Sequence, residues 1–316
     1  MTAPIHDDHD QIPPPTLEEV SPGIHAYIQL DGSWGLNNSA FIVGRDAVTV
    51  IDTCFTEVRA RNFREAIRAV TDLPLRTLVN THSHGDHTHG NYLFPGATIV
   101  GHELTRQAML EAGLPPGGGS GPGLFPNVEW GELEMAPPFV TFEERVNLYV
   151  DDLKIEATFV GPAHTSNDVI YWVPDRKLLF AGDLLFNGGT PFVIAGSVQG
   201  SLNALESIRA LGAETIVPGH GEICGPEIID EMVSYLRFLQ ESARKGFDAG
   251  LAPLELARQI DLGKYSEWHD TERLAGNIHR AYSEIQGEPL GVALDARSMI
   301  ADMIEFNGGR PVRCVA

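Results

Sequence analysis

A dense histidine motif occupies residues 81–90 and reads Thr81-His82-Ser83-His84-Gly85-Asp86-His87-Thr88-His89-Gly90. It follows an apolar run that predicts the end of a buried strand. On an extended segment, residues two apart project to the same side, so His82 and His84 can hold one ion. Gly85 permits the turn that follows, after which Asp86 and His87 can reach a second ion. Imidazole and carboxylate are ligands of zinc and its first-row neighbours, so the motif predicts a metal site, with a surface histidine cluster as the alternative.

Three later segments each place a potential ligand at the end of a predicted apolar strand. In each of them a buried strand leads into a tight turn that carries the ligand. Four such strand ends in one chain favour a metal site over a surface cluster, because a single short motif often occurs by chance. The three ligands are His164 in residues 161–168, Asp183 at the end of residues 178–183, and His220 in residues 216–221.

The pattern H-x-H-x-D-H, followed by strand-terminal His, Asp and His, resembles the metallo-β-lactamase superfamily over about residues 23–225. The resemblance implies an α/β (α+β) fold, an αββα sandwich of two sheets with helices outside and the ligands along one edge. It implies two Zn²⁺ ions per chain: one held by His82, His84 and His164, one by Asp86, His87 and His220, and both bridged by Asp183. A bridging Asp resembles glyoxalase II, the lactonases and the phosphodiesterases of the superfamily, whereas the true β-lactamases lack it.

The chain divides into three predicted parts. Residues 1–20 are expected to be a disordered leader, because they are rich in Asp and Pro and lack the apolar centre of a signal peptide. Residues 21–225 form the predicted core, with a lid-like insertion near 114–138 whose apolar side chains can cover a pocket; a surface insertion tucked onto the core is the alternative. Residues 226–316 follow helical spacing and predict a helical extension.

Hydrophobic periodicity predicts the individual elements inside these parts. Strands are predicted at residues 25–30, 38–44, 47–52, 98–101, 146–150, 154–160, 169–173 and 177–181. Helices are predicted at residues 57–70, 103–112, 202–211, 228–239, 252–260, 271–285 and 293–305.

Composition excludes several function classes. The chain carries 22 Lys and Arg against 43 Asp and Glu, a formal charge of −21 that repels phosphate backbones and argues against nucleic acid. No apolar run reaches the roughly 18 residues of a membrane span. The 3 cysteines form no C-x-x-C pair, which argues against a disulfide framework and suits a cytoplasmic location.

Paired cations bridged by a carboxylate suit hydrolysis. They hold a water whose pKa falls towards about 7, so a metal-bridging hydroxide can attack a carbonyl while Asp86 orients it and relays its proton. Because no second general acid is evident, thioesters, esters and lactones are easier substrates than amides. The predicted substrate pocket contains five residues, Trp34, Phe125, Phe186, Thr190 and Phe192.

Further segments, among them W-G-E-L-E, G-P-A-H-T and E-F-N-G-G, are similar to the bacterial aromatic-polyketide second-ring cyclase/thioesterases of the actinorhodin type. This resemblance implies a carrier-protein thioester of a partly cyclised polyketide, which is either released or closed into a ring. The expected partner is therefore an acyl substrate that is a small molecule or is bound to an acyl carrier protein. The alternatives are an iron-dependent oxidoreductase resembling the persulfide dioxygenases, and β-lactamase or lactonase activity. A homodimer formed through the helical extension is a further prediction.

Overall fold

The computed structural model describes residues 13–29, 31–115 and 124–316. In this part of the chain, strands form two sheets. The first sheet has the order β1-β2-β3-β4-β5-β6-β7 and the second the order β12-β11-β10-β9-β8. The first sheet comprises β1 Thr16–Ser21, β2 Ile24–Ile28, β3 Ser39–Val43, β4 Val48–Ile51, β5 Leu75–Val79, β6 Thr98–His102 and β7 Val140–Phe142. The second comprises β8 Arg145–Val150, β9 Leu153–Phe159, β10 Val169–Val173, β11 Leu178–Phe186 and β12 Thr215–His220.

Helices flank both sheets. They are α1 Glu57–Val70, α2 Gly85–Thr88, α3 Glu103–Ala112, α4 Val198–Leu211, α5 Glu227–Asp248, α6 Pro253–Ala257, α7 Arg273–Ile285 and α8 Ala296–Phe306. Short 3₁₀ turns occupy Asn91–Leu93, Pro174–Arg176 and Gly263–Glu267.

The strands show why the chain folds into four layers. Alternate residues of a strand face opposite sides of the sheet. In β3, Ala40 and Ile42 pack between the two sheets, whereas Phe41 packs against the α1 side. In β10, Tyr171 packs between the sheets, whereas Trp172 faces the helices of the second half. Each sheet is therefore apolar on both faces, and the predicted αββα sandwich is confirmed.

The helical extension shares a core with the second sheet. Leu274 and Ile278 of α7 are fully buried and belong to the same apolar cluster as Leu179 of β11. Helix α7 also contacts both α5 and α8. The extension is therefore packed onto the sandwich, where its side chains can reach the edge that carries the ligands.

Several predicted boundaries change in the structure. The predicted disorder of residues 1–20 is wrong for the end of that segment, because Thr16–Ser21 forms β1 and pairs antiparallel with β2. Residues 1–12 lie outside the described residues. An edge strand such as β1 is held by backbone hydrogen bonds and needs no apolar run, which explains why it was missed. The strand predicted at 177–181 continues to Phe186, and the helix predicted at 252–260 shortens to Pro253–Ala257. Within the predicted insertion, residues 116–123 lie outside the described part.

Candidate metal centre

The seven predicted ligands, which we call the ligand edge, come from four places along one rim of the sandwich. His82 and His84 lie in a bend just after β5, and Asp86 and His87 lie in the single turn of α2. His164 sits in the loop between β9 and β10, Asp183 lies within β11, and His220 ends β12. Although His82 and His84 are not on a strand as predicted, the bend still turns both towards the same point. All seven predicted ligands therefore lie on the same rim, although the local structure at His82 and His84 differs from the prediction.

Four of these side chains form a first group. The ligand atoms of His82, His84, His164 and Asp183 all lie within 4.8 Å of one another. His164 Nε2 is 2.8 Å from His84 Nδ1 and 3.3 Å from Asp183 Oδ2. Three imidazole nitrogens and one carboxylate oxygen at this spacing match a four-coordinate zinc site.

A second group lies beside the first and shares Asp183 with it. The ligand atoms of Asp86, His87, His220 and Asp183 also lie within 4.8 Å of one another. His220 Nε2 is 3.3 Å from Asp86 Oδ2 and 3.4 Å from Asp183 Oδ2, and His87 Nε2 is 3.0 Å from Asp183 Oδ1. Because Asp183 belongs to both groups, its carboxylate is placed where a bridging ligand would be.

Backbone irregularity in β11 aims Asp183 into the site. The register between β11 and β12 shifts on either side of Gly182, whose φ of 53° is in the region that favours glycine. On the neighbouring strand, a Cβ at Gly219 would lie 2.0 Å from Asp183 Oδ1. The two glycines therefore turn the carboxylate and leave it the space it occupies.

Hydrogen bonds behind the ligands hold the rings in orientation. Asp52 Oδ2 lies 2.8 Å from His87 Nδ1, and Asp52 also accepts hydrogen bonds from the backbone N–H and the hydroxyl of Thr81. His220 Nδ1 contacts the carbonyl of Gly32 at 3.1 Å, and His164 Nδ1 contacts the carbonyl of Phe192. A partner on Nδ1 leaves Nε2 free to point inwards, which is the usual arrangement behind metal-ligating histidines.

Unpaired polar atoms test whether the site fits a metal. His82 Nε2, His87 Nε2 and Asp183 Oδ1 are buried and have no partner in hydrogen-bonding geometry, although the last two lie 3.0 Å from each other. A buried polar atom without a partner costs free energy, so such atoms are rare in folded proteins. All three point into the two groups, and a bound cation would satisfy each of them. The donor set of imidazole and carboxylate is also the set that zinc accepts, so the residues fit the implied group.

The electrostatics differ between the two groups. Burial lowers the pKa of His82, His84 and His164, in His164 to about 3, despite the opposing effect of Asp183. Burial also acts to lower the pKa of His220, but the carboxylates of Asp183 and Asp86 outweigh it and raise that pKa to about 9. Burial opposes ionisation of the two carboxyls, yet the surrounding imidazoles hold the pKa of both below the ordinary range. Both carboxylates are therefore charged at neutral pH and available to a cation.

A cavity of about 530 Å³, including its mouth, opens onto the ligand edge. Its apolar side, which we call the aromatic wall, consists of Trp34, Phe55, Phe125, Phe186 and Phe192. Trp34 meets Phe192 and Phe125 edge to face, with centroid separations of 4.9 and 5.6 Å. The predicted pocket residues Trp34, Phe125, Phe186 and Phe192 thus lie together beside His84, Asp86, His164, Asp183 and His220.

Other cavity residues differ from the prediction. Thr190 is 1% exposed and does not line the cavity; its carbonyl accepts a hydrogen bond from Arg273. Phe55 and Arg273 line the cavity although neither was predicted. Their segments carry no local motif, so no signal in the sequence marks them. A second cavity of about 780 Å³ adjoins the first at Phe55 and His84 and continues towards Met109.

No helix in the described part of the chain is both long enough and apolar enough to cross a membrane. Helix α5, the longest at 22 residues, is amphipathic, with one face buried and charged residues on the other.

Comparison with known proteins places this geometry in context. A linear primary-alkylsulfatase of Pseudomonas sp. is 22% identical, over 84% of this chain and 60% of that protein. A hydroxyacylglutathione hydrolase of Rhodospirillum rubrum is 28% identical over 50% of each chain. This chain therefore spans only half to three fifths of the length of these relatives. The hydrolase names among them agree with the predicted enzyme class.

Solved structures agree on the fold. A metallo-beta-lactamase from Pontibacter korlensis superposes with a TM-score of 0.58 and 19% identity, covering 71% of this chain and 99% of the other. A family model described as "Metallo-beta-lactamase superfamily" matches residues 32–220. Those residues are more than half of the sequence and contain all seven converging side chains. The chain therefore belongs to the metallo-beta-lactamase superfamily.

Proposed function

We propose that this chain is a metal-dependent hydrolase that holds two metal ions, expected to be zinc, along its ligand edge. The observation that supports the proposal most directly is the position of Asp183, whose carboxylate belongs to both groups of converging ligand atoms. Three buried polar atoms without partners lie in the same place. His82, His84 and His164 would hold one ion, Asp86, His87 and His220 the other, and Asp183 would contact both.

When bound, the ions would supply a water of lowered pKa and a Lewis acid for the carbonyl oxygen of the substrate. The chain's own residues have distinct parts in this chemistry. Asp86 lines the cavity and lies within the second group, so its carboxylate can orient the attacking water and carry its proton to the leaving group. Asp52 fixes the ring of His87 from behind.

The lining of the cavity favours binding of an acyl substrate that carries a flat apolar group. Aromatic side chains form one side of it, and aromatic groups pack against such walls edge to face or offset. Because a thiolate or a phenolate leaves without a dedicated acid, the site suits thioesters, esters and lactones better than amides. The name of the hydroxyacylglutathione hydrolase states the hydrolysis of an acyl glutathione, which supports the same class. Within it, we propose an aromatic polyketide thioester, either released or cyclised.

The way in which the substrate is delivered belongs to the same proposal. The acyl group arrives on a small thiol or on an acyl carrier protein. The strong negative charge of the chain disfavours a nucleic acid substrate. A cytoplasmic location and a homodimer through the extension complete the proposal.

Metal analysis of the protein as purified, combined with a substrate panel, tests this function. The panel contains aryl and acetyl thioesters, a lactone, a β-lactam and a phosphodiester. We expect about two zinc ions per chain and the fastest hydrolysis for the aryl thioesters.

Three outcomes would contradict the proposal. One iron per chain with oxygen consumption on a persulfide would indicate the oxidoreductase alternative. Hydrolysis confined to the β-lactam would indicate the β-lactamase alternative, whereas hydrolysis confined to the lactone would keep the carbonyl class and remove the aromatic thioester. Hydrolysis confined to the phosphodiester would remove the carbonyl substrate class.

A further inference from the structure

Two neighbouring residues of the helical extension contact the indole of Trp34, far away in sequence. The indole Nε1–H donates a 2.6 Å hydrogen bond to Glu272 Oε1, across 238 positions of the chain. The guanidinium carbon of Arg273 lies over the ring, 3.9 Å from its centroid. Trp34, Glu272 and Arg273 are 7%, 8% and 2% exposed. The indole is thus held by a hydrogen bond at its edge and a cation on its face.

The guanidinium of Arg273 is itself held in place. Its Nη1 donates to the carbonyl of Thr190 at 2.9 Å, and its Nη2 lies 2.8 Å from Asp270 Oδ2. Its Nε is buried and has no hydrogen-bond partner. A planar cation fixed at two corners cannot follow the indole if the loop moves, so it acts as a rigid plate against the ring.

This arrangement is more than general core packing. Arg280, on the same helix α7, is also fully buried, but it donates to the carbonyls of Ile194 and Val292 and does not line the cavity. Arg273 instead lines the cavity together with Trp34 and the metal ligands. Of two buried arginines on one helix, one therefore supports backbone and the other supports a cavity wall.

We propose that Glu272 and Arg273 are positioning residues that hold Trp34 as a fixed part of the aromatic wall, and that they thereby set a preference for flat aromatic acyl groups over small ones. The preference rests on the proposed function, whereas the positioning of Trp34 does not. Because Trp34 meets Phe125 and Phe192 edge to face, a shift of the indole would open the space between these rings and reduce contact with a flat group.

Selectivity and tryptophan fluorescence test the proposal in the metal-loaded full-length protein. The probes are the 2-naphthoyl and acetyl thioesters of N-acetylcysteamine. The variants are Glu272→Ala, Glu272→Gln, Arg273→Lys and Trp34→Phe. Arg280→Lys is the matched control, because it makes the same change at a buried arginine of α7 that contacts no indole. Thermal unfolding of each variant separates loss of fold from loss of selectivity.

We expect Glu272→Ala and Arg273→Lys to lower the ratio of kcat/KM for naphthoyl over acetyl by about tenfold, mainly through KM for the naphthoyl substrate. Glu272→Gln keeps an acceptor oxygen and should retain most of the ratio. In the Trp34→Phe background neither Glu272→Ala nor Arg273→Lys should lower the ratio further, since the contact is already lost. Arg280→Lys should lower the melting temperature without changing the ratio.

The chain contains 4 tryptophans, so the Trp34→Phe background is needed to assign a change in emission to Trp34. Glu272→Ala and Arg273→Lys should red-shift the emission and increase iodide quenching, and both changes should vanish in the Trp34→Phe background.

Equal losses of kcat/KM on both substrates, or a naphthoyl-to-acetyl ratio that falls as far in Arg280→Lys, would overturn the role in selectivity. An unchanged emission in both variants would overturn the positioning. If the wild type hydrolyses no thioester, the proposed function fails and the preference with it, while the emission still decides the positioning.

Discussion

The ligand edge and the aromatic wall adjoin each other, yet the chain builds them in different ways. Each ligand of the edge follows or interrupts a strand of the sandwich, so a short stretch of backbone aims it. The wall is assembled from the loop before β3, the segment between β4 and α1, the predicted insertion near 114–138, the end of β11 and the loop beyond it. Its central residue, Trp34, is held by the start of α7.

This difference teaches where each kind of change should act. Substitutions at the ligand edge should abolish metal binding and catalysis, because no other side chain takes the place of a missing ligand. Substitutions at the wall should change which substrate is accepted, because the packing is shared among several rings. The following predictions test that separation.

The largest effect is expected for Asp183→Asn. The amide is a poor metal ligand and Asp183 belongs to both groups, so we expect loss of at least one metal per chain and roughly a 1,000-fold fall in kcat. Elemental analysis and steady-state kinetics measure both. Asp175→Asn on the exposed turn after β10 is the control, and a variant of Asp183 that keeps its metals and its rate would contradict the bridging position.

A smaller effect is expected for Asp52→Asn, behind the ligand edge. Asp52 has a φ of 56°, a conformation that Asn also tolerates, so the backbone should survive the change. Loss of the carboxylate at His87 Nδ1 should weaken metal binding roughly 10- to 100-fold. Competition with a chromogenic chelator measures the affinity. Asp46→Asn on the surface should leave it unchanged; equal affinities in all three proteins would show that Asp52 does not support the site.

A change confined to the wall is expected for Phe125→Ala. Phe125 packs against Trp34 and Phe55, with centroid separations of 5.6 and 5.4 Å, and belongs to neither ligand group. We expect KM for aryl thioesters to rise about tenfold while the metal content stays that of the wild type. The matched control is Phe139→Ala, since that ring is 84% exposed. Metal loss in Phe125→Ala would show that the wall and the edge are not separable.

The smallest effect concerns pH and the loop that carries His164. Asp168 accepts hydrogen bonds from the backbone of Ala163 and Thr165, and burial raises its pKa to about 7 despite them. Between the ordinary value of 3.8 and 7, the folded state binds a proton that the unfolded chain releases, so this contribution to stability is present at low pH and lost as pH rises through 7.

In the wild type, the free energy of unfolding should therefore fall by on the order of 1 kcal/mol between pH 5 and pH 8, and Asp168→Asn should abolish this fall. Urea titration of chelator-treated protein measures both. Asp72→Asn, at an exposed position, should keep the slope of the wild type. Identical slopes in Asp168→Asn and the wild type would contradict the raised pKa.

Local patterns were sufficient for much of the fold. The amphipathic spacing at 57–70 predicts α1 with the bounds that the structure shows, because one apolar stripe on a helix determines which face is buried. The apolar run at 169–173 likewise matches β10. In contrast, β1 carries little local signal, since β2 supplies its hydrogen bonds. The continuation of β11 to Phe186 also depends on pairing with β12.

The sequence alone identified the seven side chains of the ligand edge, because each stands next to a strand or a glycine turn that its own neighbours encode. It also placed most of the aromatic wall, since large apolar residues near such a site are easily recognised. Only the tertiary structure brought Glu272, Arg273 and Asp52 to their partners. Those contacts join segments that share no local pattern, and the physical reason is that packing of distant elements, not the conformation of any one of them, decides which buried polar groups meet.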